Sequence, residues 1–96
     1  MKLNCNCVRD VLLQLEELLV CEQSNGSFFV KTVKLDKLTE KLSGKYNNSE
    51  ILYTVCKLEE ENYINAKIID ANRQIVYCEI FKITNEGHTF LDTIRP

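Results

Sequence analysis

The stretch from Ile83 to Arg95, ITNEGHTFLDTIR, constrains the fold of this chain more than any other, because a strand there must turn directly into a capped helix. Thr84 is placed to accept a backbone N–H as N-cap. Ile83, Phe90, Leu91 and Ile94 then fall on one helical stripe, and Gly87 lies at the same azimuth, where a close contact would exclude a side chain.

The remaining elements follow from periodicity. Between Asn4 and Leu19, Val8, Val11, Leu12, Leu15, Leu18 and Leu19 recur at helical spacing, with Asn4 or Asn6 as cap and Arg9, Asp10, Gln14, Glu16 and Glu17 on the polar face. CEQSNGS carries the turn signal Asn25-Gly26, and the aromatic and β-branched run Phe28–Val33 predicts one short strand. Leu35, Leu38 and Leu42 define a second helix, for which Gly44 offers a left-handed stop. A third helix begins at a cap on Asn48 or Ser49 and turns Ile51, Leu52, Val55 and Leu58 inward, with Glu50, Tyr53, Thr54, Lys57 and Glu61 outward. Asn62 suits its left-handed end, and Tyr63 can fold back on it.

Ile64–Ile69, a polar turn over Asp70–Gln74 and Ile75–Ile83 predict a hairpin. Its second strand is apolar on both faces, so either a bulge shifts the register or one face meets another subunit. Helix, strand, helix, helix, hairpin, helix is the order of an α+β winged helix-turn-helix, a single domain over residues 1–96 with the hairpin as wing. The alternative is a three-helix bundle with an unrelated hairpin.

Composition sets the class. Ninety-six residues, 45% hydrophobic and 27% charged, suit one ordinary globular domain. Without a long apolar run or a signal-like N-terminus, the expected location is the cytoplasm, with no membrane partner. The net charge of −2 is uneven: from Lys31 to Lys57 six lysines face three carboxylates, a surplus of +3, which leaves −5 elsewhere.

Little supports catalysis, a cofactor or a metal. Cys5, Cys7, Cys21, Cys56 and Cys78 lack paired C-x-x-C spacing, and they read as free thiols rather than ligands, although Cys5, Cys7, Cys21 and His88 are the one conceivable metal set. Cys7 precedes Val11 by four residues and joins the buried face of the first helix. His88, the sole histidine, has no nucleophile at local spacing and reads as structural. Glu59, Glu60 and Glu61 point about 100° apart on a helix and cannot converge.

Lys34, Lys37 and Lys41, continued by Lys45, recur every three or four residues opposite Leu35, Leu38 and Leu42. In a helix-turn-helix the first helix of the pair crosses the phosphate backbone, so these lysines are candidates for phosphate neutralisation. Asn47, Asn48 and Ser49 at the next helix's start, then Tyr53, Thr54 and Lys57, would face the major groove, and Arg73 at the wing tip a minor groove. The expected partner is double-stranded DNA, bound by a homodimer acting as a small regulator. The alternative is an adaptor or inhibitor that presents an acidic surface to a host protein, such as a defence complex. Any surface helix, equally, displays lysines opposite leucines.

Taken in order, MKLNCNCVRDVLLQLEE, EILYTVCKLEEENYI and ITNEGHTFLDTIR resemble a family of small phage and prophage proteins of unknown function, itself similar to the YjcQ-type winged-helix proteins of bacteria. The most specific part is Thr84, Gly87, His88 and Leu91. The resemblance implies a winged-helix fold and a mobile-element origin, and no established activity. Thr54 stands where such proteins often carry histidine, Asn62 where glycine is usual, and Cys5 and Cys7 where larger apolar residues are common.

Overall fold

Asn4 opens the first helix, α1 (Cys5–Leu18), by accepting the backbone N–H groups of Asn6 and Cys7 at 2.9 and 3.3 Å. The computed structural model describes residues 3–95, with the side chains of residues 21–24, 29 and 30 outside that description. As its periodicity predicts, α1 buries Cys7, Val8, Val11, Leu12 and Leu15.

The segment after α1 departs from expectation. CEQSNGS is not a bare turn: β1 (Cys21–Ser24) and β2 (Ser27–Val30) form an antiparallel ribbon closed by Asn25 and Gly26, whose φ values are 51° and 78°. The single strand expected over residues 28–33 is therefore two pieces. β3 (Val33–Lys34) belongs to a different sheet, where it pairs with the final strand.

α2 (Leu35–Leu42) buries Leu38 and Leu42. Gly44 does not adopt the left-handed conformation expected of it. Lys45 and Tyr46 instead both donate their N–H groups to Leu42 O, at 3.0 and 3.2 Å, and these two hydrogen bonds to one carbonyl end the helix. α3 (Asn48–Glu60) is capped by Asn47, which accepts Glu50 N–H at 2.8 Å, rather than by Asn48 or Ser49. Its other end matches expectation: Asn62 has φ 62°, Asn62 N–H donates to Glu59 O and Tyr63 N–H to Leu58 O, the paired bonds of a Schellman stop.

β4 (Ile64–Ala71) and β5 (Gln74–Ile83) form the long hairpin, and α4 (Asn85–Ile94) follows at once, capped by Thr84 through Gly87 N–H at 3.0 Å. The antiparallel sheet runs β3-β5-β4. Of the two explanations for a strand apolar on both faces, the bulge applies, and it applies twice. Register shifts leave Phe81 and Val76 as extra residues, so Ile83, Ile80 and Cys78 can all turn inward opposite Ile64, Ala66 and Ile68. Val76, the extra residue nearer the tip, is 61% exposed.

The hairpin turn is tighter than expected. Only Asn72 and Arg73 connect the strands, with φ 53° and 65°, the geometry of a type I′ turn. An L-residue pays about 1–2 kcal/mol in that region, and glycine carries an entropic cost of about 0.5–1 kcal/mol. Arg73→Gly is accordingly expected to raise stability by about 0.5 kcal/mol, read as a higher urea midpoint at unchanged slope. The described residues form a mixed α+β domain: four helices and a three-stranded antiparallel sheet, with the inner sheet face and all four helices sharing one core.

Candidate nucleic-acid interface

Turning Leu38 and Leu42 into the core forces Lys37 and Lys41 onto the outer side of α2, and Lys34, the extended N-cap residue that ends β3, is exposed as they are. Among the described residues none of the three forms an ion pair. Lys34 also borders a groove shared with β5, lined by Leu35, Asp36, Ile75, Val76 and Tyr77, so the start of α2 adjoins the hairpin. There the Glu79 carboxylate accepts the hydroxyls of Thr32 and Tyr77, which hold it below its ordinary range, with smaller help from Lys34 and Lys67.

Lys45 is exposed but tethered. Its ammonium lies 3.7 Å from Asp10, which also accepts Tyr46 OH at 2.7 Å and Arg9 Nε at 3.3 Å. Burial pushes the Asp10 carboxyl up, but the Tyr46 and Arg9 bonds and the Lys45 charge outweigh it and hold it below the usual range. For Tyr46, burial and then Asp10 push the phenol up to about 12.

On α3 the expected face divides. Asn48 and Ser49 are exposed at its first turn, while the Asn47 side chain is spent as the cap. Tyr53 is half-buried. Lys57 is not a free cation: it bonds Glu60 at 3.2 Å and sits 5.6 Å from the Tyr53 ring centre, and the Glu60 bond raises its ordinary value. Thr54 corrects the expected outward face, being only 1% exposed. Its hydroxyl donates to Glu50 O one turn back at 2.8 Å and lies 3.3 Å from Cys7 Sγ, and a hydroxyl satisfied within its own helix can be buried. The inward set on α3 is Ile51, Thr54, Val55 and Leu58, and Leu52, expected inside, is half-exposed.

Arg73 is exposed at the hairpin tip. Sequence reasoning passed over Lys67, exposed on β4 opposite Glu79; its position in an alternating strand was the available signal.

The groups considered for chemistry are dispersed. Cys5 is exposed at the start of α1, Cys7 is in the core, and His88 is exposed in the first turn of α4; the Cys21 side chain lies outside the described residues. Among the described residues no three His, Cys, Asp or Glu side chains gather as a metal site, and no helix is long and apolar enough to cross a membrane. Near His88, Glu16 takes a two-pronged bond from Arg95 at 3.0 and 2.5 Å, which lowers its carboxyl and ties the end of α4 to α1.

Neither a curated protein nor a solved structure matches the chain. A protein family does, over residues 2–96, nearly the full length on which the fold above is built. The chain belongs to that family, described as "Hypothetical protein (DUF2513)".

Proposed function

We propose that this chain is a non-enzymatic winged-helix protein of phage or prophage origin that binds double-stranded DNA as a dimeric regulator. The observation that carries the DNA reading is the exposed set of Lys34, which ends β3 and caps α2, with Lys37 and Lys41 on α2, none in an ion pair among the described residues, immediately before a helix whose first turn presents Asn48 and Ser49. Support for the winged-helix reading comes from the strand order: β3 pairs with β5 at the edge of the β4–β5 hairpin, so the strand before α2 and the hairpin after α3 form one sheet. The mobile-element origin rests on the family resemblance of the first, third and last helices. Exposed Phe28, Val76 and Phe81 are apolar surface that a second copy would cover.

Labelled duplex titrated across a salt series tests it by fluorescence anisotropy. Three or four phosphate contacts predict a log–log slope of about −3, whatever the duplex sequence. No binding at low salt, or an affinity indifferent to salt, rejects the reading.

One observation favours the adaptor alternative. The outer face of α3 carries Leu52 and Tyr53 beside a Lys57 already neutralised by Glu60, with Glu59 and Glu61 flanking, a surface better suited to a protein than to a phosphate backbone.

A further inference from the structure

We propose that the chain binds a small uncharged apolar molecule, about the size of a benzene ring, in a cavity between the start of α1, the end of α3 and α4. The cavity measures about 130 Å³, and its walls include Val8, Leu58, Tyr63, Phe90 and Ile94. Almost no polar atom faces it. The pocket opens to solvent beside the exposed Leu3, Cys5 and Glu61; water against its walls finds few polar partners, and displacing such water with an apolar group favours binding.

Two features make this space a formed site. Tyr63 and Phe90 stack with ring centres 4.6 Å apart and planes 11° from parallel, so one wall is a rigid aromatic pair. The Tyr63 backbone is held on both sides: its N–H bonds Leu58 O, and its carbonyl accepts Thr84 N–H at 3.0 Å.

Charge and size choose the occupant. Lys57 and Glu61 reach the edge of the cavity, but the Lys57 ammonium is engaged by Glu60, so no free cation waits for an anionic ligand. The volume admits one six-membered ring with a small substituent and excludes the face of a peptide helix. The site does not depend on which macromolecule meets α2.

Benzene and xenon titrated into the intact chain, followed by amide and methyl NMR shifts, test the inference. Saturable shifts centred on Val8, Leu58 and Ile94 are expected, with a melting temperature that rises with benzene concentration. Benzoate and benzylammonium are expected to bind about tenfold more weakly, since each must bring a charge to an apolar wall. Ile94→Phe, which fills the space from within, is expected to abolish benzene shifts. Should that variant fail to fold, xenon uptake by the unaltered chain decides alone. Absence of saturable shifts with either probe, shifts mapping elsewhere, or benzoate binding as tightly as benzene would overturn it.

Discussion

Gly87→Ala is expected to lower the melting temperature by about 10 °C or more, the largest effect of any single methyl group considered for this chain. A Cβ at Gly87 would stand 2.0 Å from Tyr63 O, 2.7 Å from Ile83 Cγ2 and 2.9 Å from Tyr63 C. Two of those three atoms are backbone, so no rotamer change relieves the contact. The Tyr63 carbonyl is also fixed, because it accepts Thr84 N–H, while Thr84 OH donates to Asn62 O at 2.6 Å and Thr84 Oγ1 caps the helix through Gly87 N–H itself. Moving α4 away to make room breaks that set of bonds and separates Phe90 from Tyr63. Against this, alanine is the better helix former by about 1 kcal/mol. Overpacking a rigid contact costs about 3 kcal/mol or more, so the clash decides the sign and leaves a net loss of about 2 kcal/mol or more. Thermal unfolding beside Glu86→Ala, a control on the exposed side of the same turn, measures it. A Gly87→Ala melting temperature equal to wild type would mean that α4 does not press on Tyr63 as described.

That contact was legible in the sequence. A glycine on the apolar azimuth of a helix whose neighbours are Phe90, Leu91 and Ile94 has few explanations besides close approach. Asn4, Thr84 and Asn62 were legible in the same way, since each end effect is set by a residue and its immediate neighbours. What the chain conceals is decided at long range. Glu22 and Gln23 give β1 no apolar alternation, and the strand exists because β2 lies opposite. The two bulges at Val76 and Phe81 show in sequence only as an excess of apolar residues, and their positions depend on pairing with β4. Thr54 was misplaced because polarity predicts exposure, whereas its bond to Glu50 O removes the penalty for burial. The candidate site was legible as far as its lysines on α2. The loss of Asn47 to a cap, of Lys45 to Asp10 and of Lys57 to Glu60 could be seen only with side chains in place.

Removing the two lysine charges of α2, Lys37→Gln with Lys41→Gln, is expected to weaken duplex binding about 60-fold at 0.1 M salt if those lysines neutralise phosphates. Each phosphate contact contributes about 0.9 to the log–log salt slope, so losing two removes about 1.8, and that difference extrapolates to nothing near 1 M. The loss should be the same for unrelated duplexes, because phosphate contacts carry no sequence information. Folding should be unaffected to within about 0.5 kcal/mol, since both side chains are exposed and neither holds an ion pair. Glu60→Gln supplies the opposite arm: releasing Lys57 from its 3.2 Å bond adds a cation to the outer face of α3, which under the DNA reading steepens the slope by about one unit. Under the adaptor reading neither change alters duplex affinity, and Glu60→Gln instead weakens the complex with a basic protein surface. Glu60→Gln thus separates two uses of the outer face of α3 by which complex it changes, a steeper duplex salt slope or a weaker bond to a basic protein, because a charge that obstructs a phosphate is the charge a basic partner would need.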